Sequence, residues 1–120
     1  MDWITDSIAL GNFVDANNLK KGEVDAVLND TRFDVEVIPL VDAAGNDKRL
    51  FDGCVDFIDD VITSGDKILV HCHAGRSRSV CILARYFMRK EGLTSHQALA
   101  KIEAKREIYL SPGIEEILVL

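Results

Sequence analysis

Residues 67–71 read Lys-Ile-Leu-Val-His, a nearly unbroken apolar run that ends at Cys72, and a helical pattern takes over at Ser79. A strand this short and this apolar is expected at the centre of a sheet with both faces covered. A chain that passes from such a strand through a short loop into a helix is confined to a small set of α/β arrangements. The backbone N–H groups at the helix start and the end of the strand then converge on the loop between them.

The rest of the sequence supplies the other parts of that architecture. Residues 3–5, 7–10, 25–29 and 34–40 are short runs with strand character bounded by polar residues or glycine. From Asp47 the period changes, because Leu50, Cys54, Phe57, Ile58, Val61 and Ile62 recur at helical spacing until Ser64-Gly65-Asp66 ends the run. After the loop, residues 79–91 carry Val80, Ile82, Leu83, Tyr86 and Phe87 on a helix that Gly92 terminates. Thr94-Ser95-His96-Gln97 has the form of a capping box opening a helix that runs to about Glu107. Ser111-Pro112, followed by Glu115 and Glu116, predicts a last short helix with proline at its first position. The expected fold class is α/β, a central, mostly parallel sheet of about four to five strands flanked by helices.

A chain of 120 residues is expected to form one domain, 1–120, without a disulfide or metal staple. Three cysteines with no Cys-x-x-Cys pair suit a reducing compartment. The opening Met-Asp-Trp-Ile-Thr-Asp-Ser is acidic where a signal peptide is basic, and no segment is apolar enough to span a membrane, so a cytoplasmic protein is expected. The net charge of −6 argues against nucleic acid as a partner, but the charge is unevenly placed. Residues 1–70 hold 6 Lys/Arg against 15 Asp/Glu, whereas residues 71–120 hold 8 against 5. Arg76, Arg78, Arg85, Arg89 and Lys90 fall in the basic part. They could set up a field for an anionic substrate, or the last three could line a solvated helix face.

The loop itself is His71-Cys72-His73-Ala74-Gly75-Arg76-Ser77-Arg78-Ser79. A cysteine at the carboxyl end of a buried strand, just before a helix, lies where the positive end of the helix dipole stabilises negative charge. A thiol held there is biased toward thiolate and so toward nucleophilic attack. Gly75 allows the backbone to curl close to an anion. Arg78 offers a planar fork that fits two phosphate oxygens. His71, by alternation, points away from the side Cys72 uses and is expected to support the loop. Ser79 is either a helix cap or a hydrogen-bond donor to the sulfur. Together these are the parts needed to cleave a phosphate monoester. No Gly-x-x-x-x-Gly-Lys-Ser/Thr sequence is present, so nothing points to nucleoside triphosphates.

The same nine residues match the His-Cys-x-x-Gly-x-x-Arg-Ser/Thr signature, and the chain resembles the cysteine-dependent protein tyrosine phosphatases, specifically the dual-specificity subgroup. Ile4-Thr5-Asp6-Ser7-Ile8-Ala9-Leu10-Gly11 resembles the opening strands of that subgroup, Ile38-Pro39-Leu40-Val41-Asp42 its general-acid loop, and Arg106 through Ile114 its closing segment. The resemblance implies a minimal catalytic core that acts without metal or other cofactor. It also implies a phosphorylated protein or small phosphomonoester as substrate, and a monomer is expected. The residues of 73–78, namely His73, Ala74, Gly75, Arg76, Ser77 and Arg78, would hold the phosphate oxygens.

Transfer of a phosphoryl group to Cys72 also needs an acid to protonate the leaving oxygen. Asp42 follows an apolar strand and starts an Ala-Ala-Gly-Asn stretch loose enough to swing over a substrate; Asp47 is the runner-up, but it is well placed to cap the next helix instead. Asp56, Asp59 and Asp60 are expected on the solvated side of that helix. His73 and Arg76 make the loop basic enough that a phosphoinositide or phosphatidylglycerophosphate substrate is an alternative. A catalytically dead phosphate-binding module and a sulfur-transfer domain are two more. Cys54 and Cys81 fall on apolar helix positions and are read as core.

Overall fold

A computed structural model of the chain describes residues 1–29, 48–72, 76–114 and 118. Among the described residues there are four strands: β1 (Asp2–Trp3), β2 (Ile8–Gly11), β3 (Ala26–Asn29) and β4 (Ile68–His71). They form one sheet in the order β1-β2-β4-β3, β1 antiparallel to β2 and the other pairs parallel. Gly11 lies opposite His71 on one side of β4 and Asn29 opposite it on the other, so the carboxyl ends of β2, β3 and β4 share one edge. All four residues of β4 are buried, as a central strand requires.

The α-helices among the described residues are α1 (Phe13–Asn17), α2 (Lys48–Thr63), α3 (Arg78–Glu91) and α4 (Ser95–Glu103). One face of the sheet, with Ile8, Leu10, Leu28, Ile68 and Val70, packs into a core with Phe51, Cys54, Val55 and Ile58 of α2 and a buried stripe of α3. Each such side chain, fully buried, contributes roughly 1.5–3 kcal/mol. Cys54 and Cys81 are buried in that core and take part in no disulfide, as expected of their positions.

The strand and helix limits differ from the sequence reading in ways that follow from polar side chains. Thr5, read as strand, is instead the turn between β1 and β2, because its hydroxyl accepts from Ser7 N at 3.2 Å and Ile8 N at 3.0 Å. Asp25 and Lys67 lie just outside their strands. The Lys67 N–H donates to the Asp25 carboxylate at 2.8 Å, and the Asp25 N–H donates to the Lys67 carbonyl at 2.8 Å, which fixes the entry of β3 beside that of β4.

Helix α1 was not expected. It is too short for an apolar period, yet it has a complete capping box, with Asn12 Oδ1 accepting from Asp15 N at 2.9 Å and Asp15 Oδ2 from Asn12 N at 3.0 Å. Gly11 lets this helix fold back over the strand end, since a Cβ there would stand 3.0 Å from Asp15 Cβ and 3.2 Å from Leu69 Cδ1.

Helix α3 ends at Gly92 in the left-handed conformation, φ 67°, and Thr94 and Gln97 form the expected capping box of α4. α4 stops at Glu103 rather than near Glu107. Lys105 N and Arg106 N both bond to Ile102 O, and Arg106 Nη1 then reaches Asp2 Oδ2 at 2.8 Å, drawing the chain off the helix axis toward the sheet. Near the carboxyl terminus Pro112 lies in a turn rather than at the first position of a helix, with Gly113 at φ 89°. The expected strand 34–40 and Glu115 and Glu116 lie outside the described residues. No described helix is long and apolar enough to cross a membrane.

Candidate active site

β4 delivers Cys72 to the carboxyl edge of the sheet, the edge at which parallel α/β sheets bind ligands. Cys72 is 2% exposed, and its Sγ lies 3.3 Å from the hydroxyl of Ser79. Ser79 is fully buried in the first turn of α3. The helix begins at Arg78 with Ser77 as its N-cap residue, so of the two roles open to Ser79 the structure excludes the cap and places the hydroxyl on the sulfur.

Ser77 makes no side-chain capping bond either. Its hydroxyl instead accepts from Ser111 N at 3.0 Å, and the Arg76 carbonyl accepts from Tyr109 N at 2.9 Å. Two hydrogen bonds therefore tie the segment 109–111 to the last residues of the loop. This closing segment carries the family resemblance, but nothing local marks it as a brace, because both donors are backbone groups far along the chain.

Arg78 is half-buried, and among the described residues its Nε is buried without a hydrogen-bond partner. Buried polar atoms in native structures are nearly always satisfied, so an open guanidinium nitrogen in the first turn of α3 is unusual. Its fork suits a tetrahedral oxyanion. Arg76 is exposed, and His71 is buried at the end of β4. His73, Ala74 and Gly75 lie outside the described residues, as do both candidate acids, Asp42 and Asp47.

The basic residues further along α3 are paired within the fold. Arg85 Nε meets Asp52 Oδ1 at 2.8 Å, Arg89 pairs with Asp56, and Lys90 Nζ meets Asp59 Oδ1 at 3.0 Å. Asp56 is exposed, as expected of the solvated side of α2, whereas Asp59 is half-buried against Lys90 because α2 packs alongside α3. Asp60 is exposed.

The family model "Dual specificity phosphatase, catalytic domain" matches residues 8–118, and the chain belongs to that family. It is 35% identical over 124 residues to Dual specificity protein phosphatase 1B of Arabidopsis thaliana, covering 92% of this chain and 74% of that protein. It is 43% identical over 77 residues to Dual specificity protein phosphatase 1 of the same plant, 63% of this chain but only 39% of that relative's length. The fold superposes on the crystal structure of DUSP15 with a TM-score of 0.86 at 28% identity, covering 97% of this chain and 83% of that one.

Proposed function

We propose that the protein is a phosphatase that hydrolyses phosphate monoesters on proteins, phosphotyrosine and also phosphoserine and phosphothreonine, through a cysteinyl-phosphate intermediate. The observation that carries the reading is one constellation: Cys72 Sγ against the Ser79 hydroxyl at 3.3 Å, with the Nε of Arg78 buried and unpartnered six residues along the loop. Membership of the dual-specificity family supports it.

In the first step the Cys72 thiolate attacks phosphorus in line, the P–O ester bond breaks, and Asp42 gives its proton to the departing oxygen. Arg78 and the N–H groups of 73–78 hold the three equatorial oxygens as charge spreads over them. In the second step water attacks phosphorus, Asp42 accepts its proton, and the S–P bond breaks to return the thiolate and inorganic phosphate. The Ser79 hydroxyl, already beside the sulfur, donates to it as negative charge returns. The enzyme acts in the cytoplasm as a monomer.

The test is a panel of phosphotyrosyl, phosphoseryl and phosphothreonyl peptides, phosphoinositides and phosphatidylglycerophosphate, compared by kcat/KM with the Cys72→Ser protein as blank. Turnover of the peptides is expected to dominate. Preference for either lipid phosphate would replace the protein substrate with a lipid one, and full activity in the Cys72→Ser protein would end the reading.

A further inference from the structure

Four large apolar side chains stand exposed among the described residues: Trp3, Phe13, Val14 and Tyr109. Trp3 belongs to the outer strand β1 and has the Lys67 ammonium 5.9 Å from its ring centroid. The other three lie along the edge that carries Cys72. Gly11 ends β2 directly opposite His71, so the chain leaves β2 one strand spacing, about 4.8 Å, from the strand that delivers the cysteine. Phe13 and Val14 open α1 immediately afterwards, 40% and 46% exposed, and α1 packs against both β2 and β4.

Tyr109 is fixed more tightly still. Ile108 and Leu110 on either side of it pack against the core, which turns the ring between them outward to 67% exposure. Its own N–H donates to the Arg76 carbonyl at 2.9 Å, and Ser111 N donates to Ser77 Oγ at 3.0 Å. An aromatic ring that the core does not use is thus anchored through its backbone to the rim of the phosphate loop, beside the exposed Arg76.

We propose that Tyr109 is a specificity-determining residue of this site, its ring meeting the aromatic ring of a phosphotyrosyl substrate, with Phe13 a second apolar contact from the β2–α1 turn. The inference rests on the phosphatase reading for the identity of the bound group. Offset or edge-to-face aromatic contact adds to affinity beyond simple burial. A phosphoseryl or phosphothreonyl ester presents no ring to make it, so the contact separates the two classes of ester. Because the Tyr109 backbone is held at the loop, the ring needs little ordering when substrate arrives.

The experiment compares the unmodified protein, Tyr109→Ala and Tyr109→Phe on a phosphotyrosyl peptide and a phosphothreonyl peptide with the same flanking residues. Both turnover and, in the Cys72→Ser background, binding by calorimetry are measured. The phosphotyrosyl-to-phosphothreonyl ratio of kcat/KM is expected to fall about tenfold in Tyr109→Ala and to stay within about twofold in Tyr109→Phe. Phe13→Ala should lower the same ratio by a smaller factor. An unchanged ratio in Tyr109→Ala overturns the inference while leaving the phosphatase reading intact, and so does an equal loss on both peptides. If no ester is turned over but binding of the phosphotyrosyl peptide still weakens selectively in Tyr109→Ala, the catalytic reading fails and the role of Tyr109 stands. Neither turnover nor binding of either peptide would overturn both.

Discussion

Helix α3 carries its cations at two ends, and the fold treats them in opposite ways. From its middle to its carboxyl end Arg85, Arg89 and Lys90 each meet a carboxylate of α2. At its amino end Arg78 has no such partner among the described residues, and its Nε is buried without a hydrogen bond. Ion pairing of this kind uses a cation up, so what remains open at the loop is available to an outside anion. The comparison also explains why counting basic residues along the sequence overstates the field at the site: of the five in the basic stretch, three are neutralised within the fold. A guanidinium left open where backbone N–H groups gather is the more informative sign of function than charge excess.

The largest effect that could break this contrast comes from the two arginines with the clearest difference in setting. Arg78→Ala is expected to lower kcat/KM for an aryl phosphate by about 10²–10³ or more, the loss seen when a preorganised oxyanion donor is removed, without lowering the unfolding free energy. Cys72→Ser should abolish turnover altogether. Arg85→Ala should do the reverse. Its side chain is 12% exposed and its bond to Asp52 is charge-assisted, so stability should fall by about 1.5–3 kcal/mol while kcat/KM stays within about twofold. Urea unfolding and steady-state kinetics on both variants decide it. If Arg85→Ala lost activity as Arg78→Ala does without destabilisation, the division of the helix into a binding end and a structural end would be wrong.

Ser79 offers the next sharpest test. Its hydroxyl lies on the Cys72 sulfur, so Ser79→Ala should slow the step in which the thiolate departs more than the step in which it attacks. A burst of leaving group followed by a steady-state rate about tenfold or more below that of the unmodified protein is expected in rapid mixing with an aryl phosphate. A loss of burst and steady rate together would instead make Ser79 a support for the nucleophile's first attack.

Much of the site was legible because its determinants are contiguous. An apolar run ending at Cys72 and a helix pattern from Ser79 locate the proposed nucleophile, the arginine and the hydroxyl within eight residues, and the structure puts Cys72 and Ser79 in contact. The capping box at Thr94 and the stop at Gly92 were legible for the same reason. The cross-links were not. Pairing of Arg85, Arg89 and Lys90 with Asp52, Asp56 and Asp59 depends on which faces α2 and α3 present to each other, and the clamp of 109–111 on 76–77 is made by backbone donors that no residue type announces. Helix α1 was missed because five residues show no period, although Asn12 and Asp15 carried its capping signal. Asp42 is proposed from chemistry alone, from the need for a proton, and lies outside the described residues.

The smallest expected effect belongs to the paired end of α3 and appears at high pH. Burial pushes the Tyr86 hydroxyl above its ordinary value, and the charge of Asp59 adds to this while Lys90 opposes it. A phenol with a raised value in the folded protein stays neutral while the unfolded chain ionises. The stability it contributes is therefore complete below pH about 10, and it is lost as pH rises from there through the folded value. Urea midpoints measured at rising pH should decline more steeply in the unmodified protein than in Tyr86→Phe, which has no phenol to ionise. The open end of the helix gives the contrast its control: Arg78→Ala should leave that slope unchanged, because Asp59 and Lys90 stay paired beside Tyr86 whatever happens at the loop. A slope that changed with Arg78 and not with Tyr86 would mean that the two ends of α3 are electrostatically one region.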